Sequence, residues 1–150
     1  MSHTVEVPSI VFSDMDALGA AIKELNAAGV KCSLQKGGTP RAFYDNQEGM
    51  GAADYVVKLE DARYDIGLYY DTAKKGYVAR TDLFGGTVAK VMGATARPGE
   101  SAEQAALGRL YQGYGVHAAT RAAVKNGYTV RRIVKDDGSI ALHMTGMRGS

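Results

Sequence analysis

The chain has 150 residues, 45% of them apolar and 23% charged; that is the composition of one soluble domain able to bury a core, and it excludes wholesale disorder. Eighteen Lys and Arg against sixteen Asp and Glu leave a formal charge of +2, so binding to nucleic acid would need cations gathered on one face rather than a charge excess. A single cysteine, Cys32, excludes an intrachain disulfide and a cysteine-based zinc cluster, and fits a reducing, cytoplasmic setting.

Residues 3–12 open with Val5 and Val7 alternating against Thr4 and Glu6. Pro8 cannot donate to a ladder, so they predict a strand at a sheet edge, or two short strands with a kink between them. The N-terminus carries neither a basic stretch nor a long apolar one, so no secretion signal is expected, and no run approaches the roughly 18 apolar residues of a membrane span. Ser13 is followed three residues later by Asp16, a capping-box pattern that predicts a helix start. Met15, Leu18, Ile22 and Leu25 then recur at helical spacing, Lys23, Glu24 and Asn26 mark the wet side, and Gly29 predicts the stop. Residues 30–35 alternate as a strand. Residues 36–52 are Gly-rich and polar with neither period, and predict a long loop of the kind that more often serves function or an interface than idles.

The clearest patterning lies in residues 53–83. Three alternating runs, 55–59, 65–70 and 77–82, are separated by polar clusters and predict an antiparallel meander. Ile66, Leu68 and Tyr70 should share one face of the middle strand, with Asp65, Gly67 and Tyr69 on the other. Five of the nine tyrosines fall here, where flat rings pack across strands and keep a hydroxyl wet. Residues 85–100 predict a second long loop, broken at Gly85-Gly86 and stopped at Pro98-Gly99. Ser101 and Gln104 form a second capping-box pattern, opening a helix that runs to Lys125 with Leu107, Leu110, Tyr111, Tyr114 and Ala118 on one side. Gly108, Gly113 and Gly115 each cost about 1 kcal/mol inside such a helix, so either it kinks or another backbone packs closely. Residues 129–135 and 140–144 predict a hairpin around Asp136-Asp137-Gly138-Ser139, and residues 146–150 a flexible tail. Strand, helix and strands occur twice in this order. The expected fold is α+β: one antiparallel sheet of about six to seven strands with two helices on one face, in two βαββ-like halves.

Met1-Ser2-His3, the Asp14, Ala17 and Leu18 helix start, Ala53-Asp54 entering a strand, Tyr64-Asp65-Ile66-Gly67, Tyr114 with His117, Asn126-Gly127-Tyr128 and Asp137-Gly138-Ser139-Ile140 occur in order along the chain. Together they resemble the hypothetical chloroplast reading frame 35 family, a domain of unknown function found in cyanobacteria, plastids, other bacteria and phages. The Gly-rich loop, the glycines of the second helix and the polar segment at 97–100 depart from the family pattern. The resemblance implies no established reaction. Because members are often encoded beside an AAA-type ATPase, it implies an accessory or adaptor role with such a partner.

Residue chemistry points the same way. The three histidines, His3, His117 and His143, lack metal-ligand spacing; a pairing of His3 with His117 is the one version with a motive, since both match family positions. Cys32, mid-strand without a cationic neighbour, is expected to be a buried inert thiol. Asp65, Asp71 and Asp82 are expected at solvated strand ends. Arg121, Lys125, Arg131, Arg132 and Lys135 form the densest basic group, though strand alternation splits it between two faces. Arg41, Phe43, Tyr44 and Asp45 are the groups that would make the long loop a ligand site or an interface. No phosphate loop, cofactor motif or catalytic constellation stands out. The expectation is therefore a non-enzymatic binding or assembly protein that works as a homo-oligomer or with a protein partner. Nucleic-acid binding through the basic group is the alternative, and a small-ligand or enzymatic site at residues 36–52 comes third.

Overall fold

The computed structural model describes residues 4–42, 51–96, 98–136 and 140–146, with the backbone alone for residues 4–10. Five strands form one antiparallel sheet: β1 (Thr4–Phe12), β2 (Cys32–Lys36), β3 (Tyr55–Leu59), β4 (Ile66–Asp71) and β5 (Gly76–Asp82), in the order β1-β5-β4-β3-β2. The first strand lies at the edge, as Pro8 requires, and its pairing with β5 shifts register between Val7 and Phe12. The meander β3-β4-β5 forms as expected, Ile66 sitting opposite Val57 on one side and Thr81 on the other.

The helix α1 (Met15–Ala27) starts one residue later than its capping-box pattern predicts. Asp14, not Ser13, is the cap: its Oδ1 accepts from the Ala17 amide at 3.0 Å, and the carboxylate also suits the positive end of the helix dipole. Its far end closes as a Schellman turn. Gly29 takes φ +98°, and the Gly29 and Val30 amides donate to the Asn26 and Leu25 carbonyls.

Residues 85–100 are not the loop expected. They hold a 3₁₀ turn, Phe84–Gly86, and a short helix α2 (Thr87–Met92), whose Val88 and Met92 are fully buried. Two apolar anchors in six residues are too few for a periodic signal, so the helix is imposed by packing. The long helix also divides, into α3 (Ala102–Ala106), carrying the predicted Ser101/Gln104 capping box, and α4 (Gly108–Lys125). A Cβ on Gly108 would stand 2.6 Å from the Ala94 Cβ, and one on Gly113 would stand 3.3 Å from the Ala21 Cβ. Close approach therefore explains two of the three glycines; Gly115 faces open space.

The helices cover one face of the five-stranded sheet. Leu18 and Ile22 of α1 and Leu110, Tyr111 and Tyr114 of α4 pack with Val57, Leu59, Ile66, Leu68 and Ala79 in one core. Phe12 joins it, its ring 4.8 Å from that of Tyr114 and 5.5 Å from that of Tyr111. Val56 and Val78 on the opposite face are buried too, and Pro40 lies against that face at Gly67, so the sheet is not the half-buried one expected.

The fold is α+β with antiparallel sheets, but the strands are not joined into one sheet of six or seven. β6 (Tyr128–Val134) and β7 (Ile140–Gly146) pair only with each other among the described residues. The two βαββ halves therefore do not share a sheet. Both edges of the large sheet are taken by the N-terminal half, and the second hairpin is left on the helix side. No helix among the described residues is long and apolar enough to cross a membrane.

Candidate interaction surface

The hairpin β6-β7 follows α4 through Asn126 and Gly127, whose φ of +87° turns the chain back. Facing residues on the two strands share a side, so Val130/Met144, Arg132/Leu142 and Val134/Ile140 lie together, and Thr129/Thr145, Arg131/His143 and Ile133/Ala141 lie on the reverse. Arg132 and Ile140 line a recess of about 130 Å³ with Ala21, Glu24, Gly113 and Val116. The apolar side is thus turned toward α1 and α4, yet it is incompletely covered: Val134 is 67% exposed and Met144 55% exposed.

A three-residue polar bridge holds the hairpin to the helices. Glu24 of α1 sits 2.7 Å from the His117 Nε2 of α4, and its other carboxylate oxygen accepts from the Arg132 Nη1 of β6 at 2.7 Å. The Arg132 guanidinium, with help from His117, holds the Glu24 carboxyl below the usual range against a smaller opposing effect of burial. A second tie joins Arg121 of α4 to Asp14 at 2.9 Å and to Asp16 at 3.2 Å. Tyr114 completes this seam, its hydroxyl accepting from the Ser13 and Asp14 amides at 2.9 and 3.0 Å.

These contacts redistribute the predicted site residues. Of the basic group, Arg121 and Arg132 are engaged with carboxylates of α1, while Lys125, Arg131 and Lys135 make no ion pair among the described residues. The split of Arg131 and Arg132 between faces is as alternation predicts. His117 pairs with Glu24; His3 lies outside the described residues, as do Phe43, Tyr44 and Asp45.

Arg41 ties the start of the long loop to the sheet. Its backbone amide and guanidinium donate to the Asp65 carboxylate at 2.8 to 3.2 Å, and its Nη2 also donates to the Leu59 and Ala62 carbonyls. Asp65 is 1% exposed, not a solvated strand end. Burial pushes its carboxyl up, but the hydrogen bonds from Arg41 and the Leu59 amide outweigh this and hold it below the usual range. Asp82 is also buried, its Oδ1 accepting from the Phe84 amide at 2.9 Å. Burial raises the Cys32 thiol, as expected of an inert cysteine.

A wider groove of about 1000 Å³ opens between α2, α3 and α4. It is lined mainly by alanines, with Arg109 and Gln112. Among the described residues no group of three or more His, Cys, Asp or Glu side chains is placed to hold a metal ion.

No protein-family model, curated protein or solved structure matches this chain. What the surface does must be read from its own chemistry. The two-stranded sheet carries Tyr128, Ile133, Val134 and Met144 exposed, with Val124 exposed on the adjoining helix end, and exposed apolar side chains gathered in this way mark a candidate contact surface. The sequence foretold the hairpin but not its isolation, because periodicity assigns strands and says nothing about which sheet they join.

Proposed function

We propose that this chain is a non-enzymatic binding or assembly module, acting as a homo-oligomer or on a protein partner through the β6-β7 hairpin. The observation that carries the reading is the apolar side of that hairpin, anchored by Arg132 to α1 yet left with Val134 and Met144 more than half exposed. Burial of such side chains contributes roughly 25 cal/mol per Å², and here it is available only in a complex. An AAA-type ATPase is the partner class implied by the resemblance to the chloroplast reading frame 35 family.

Val134→Asp together with Met144→Asp tests the reading. Light scattering and a crosslinking pull-down from the native host should show self-association or partner capture in the parent chain and loss of it in the variant, with the melting midpoint held. Unchanged association in the variant, or a strict monomer with no partner recovered, would defeat it.

Nucleic-acid binding is the second reading, supported by Lys125, Arg131 and Lys135, whose charges are not matched within the described residues. Affinity would fall steeply with salt, and Arg131→Ala with Lys135→Ala would flatten that slope by about two contacts. An unchanged slope sinks it.

A further inference from the structure

We propose that a second copy of this chain docks along the free edge of β7, so that two hairpins make one four-stranded antiparallel sheet. This rests on the assembly reading above and names its partner. Among the described residues the hairpin has two open edges, and they are not equivalent. β6 carries Arg131 and Arg132 and is flanked by Lys125 and Lys135, the charged guarding that keeps an edge strand from pairing. β7, with the sequence IALHMTG, carries no Asp, Glu, Lys or Arg over seven residues and pairs on one side only among the described residues. A strand of that length without charged side chains is a template for another strand.

The pattern of β7 is also self-complementary. A two-fold axis through Leu142 or through His143 pairs even-numbered with even-numbered residues: about Leu142, Ile140 meets Met144 and Leu142 meets itself, and about His143, Leu142 meets Met144 and Ile140 meets Gly146. Ala141, His143 and Thr145 then meet on the reverse side. No like formal charges face each other across this seam, whereas pairing two copies of β6 about Arg131 would set arginine directly against arginine. An isologous contact needs such self-matching. The helix-facing apolar side becomes continuous across four strands, which passes the three-strand threshold below which a sheet is marginal. It also places the exposed Met144 in the middle of an apolar strip rather than at its rim.

Sedimentation velocity of the purified chain should show a species of twice the chain mass whose population rises with concentration. Ala141→Lys with His143→Lys places like charges across the seam and should weaken the dimer about tenfold. Thr129→Lys, on β6, should leave it unchanged. Hydrogen exchange on the unaltered chain gives an independent readout: alternate β7 amides should gain protection as concentration rises, while β6 amides should not. A dimer that survives the double-lysine variant overturns the β7 edge and leaves the assembly reading standing. A monomer at all concentrations overturns the second copy as occupant, and only if pull-down also fails does the assembly reading fall with it. Should the variant not fold, β7 protection that ignores concentration overturns the proposal by itself.

Discussion

At the scale of single residues, the sheet rests on one apolar and one charged side chain of adjacent position. Ile66 is fully buried at the centre of the meander, and Ile66→Ala should cost about 2–5 kcal/mol in a denaturant melt, the loss expected when a buried aliphatic leaves a cavity. A negligible loss would mean that Ile66 is not where the core is densest. Asp65, its neighbour, faces the other way and gathers the Arg41 amide, the Arg41 guanidinium and the Leu59 amide. Asp65→Ala should cost about 2–4 kcal/mol, since it strips the acceptor from the buried Leu59 amide and from the Arg41 amide and guanidinium. The cost is moderated because the Arg41 side chain is half exposed and its charge can return to water. Ile66 was readable from alternation alone. Asp65 was not: an acid on the outward parity of a strand reads as solvated, and nothing in a Gly-rich loop 24 residues upstream signals that Pro40 and Arg41 will cover it. Gly67 is the one local hint, because its Cβ would meet both the Pro40 ring and the Tyr69 ring below 3 Å.

At the scale of elements, the glycines of the second helix decide between two physical accounts of the same sequence. Propensity says that Gly→Ala stabilises a helix by up to about 1 kcal/mol; close packing says the reverse. Gly115→Ala, with open space around it, should raise stability by about 0.5–1 kcal/mol, and Gly108→Ala, driven against Ala94, should lower it by about 1–3 kcal/mol. Thermal melts of the two variants check both signs, and a gain at Gly108 would show that the α2–α3 connection yields freely. The helix break at Leu107 belongs to the same account. Leu107 is fully buried with φ −113° and ψ 22°, so the chain leaves helical geometry to seat it. Sequence periodicity reads straight through such a residue because an apolar side chain fits both a continuing helix and a buried bend. Capping chemistry was more legible: Ser101 with Gln104, Gly29 and Gly127 each mark a boundary that the fold observes.

For the molecule as a whole, three carboxylates among the described residues link folding to pH. Asp14, held low first by the Ala17 amide and then by Arg121, Glu24, held low first by Arg132, and Asp65, held low by Arg41 against its burial, all bind protons less readily in the folded chain than in the unfolded one. The unfolded state therefore takes up more protons as pH falls. Stability from these groups is complete above their unfolded values of about 4 and is lost progressively as pH drops through the depressed folded values. The melting midpoint should hold above about pH 5 and decline below about pH 4. Salt separates the contributions: the Asp14 and Glu24 pairs are partly exposed and should weaken in high salt, whereas the buried Asp65 share should persist. The order of loss within the molecule follows from the same geometry. Glu24 is the bridge from α1 to both His117 and Arg132, so its protonation frees the hairpin while the Phe12, Ile66 and Tyr114 core remains packed. Hydrogen exchange in acid should show β6 and β7 amides opening before those of β4 and β5, and Glu24→Gln should bring that early opening to neutral pH. If the hairpin and the large sheet lose protection together in both experiments, the bridge is not what holds β6 and β7 to the helices.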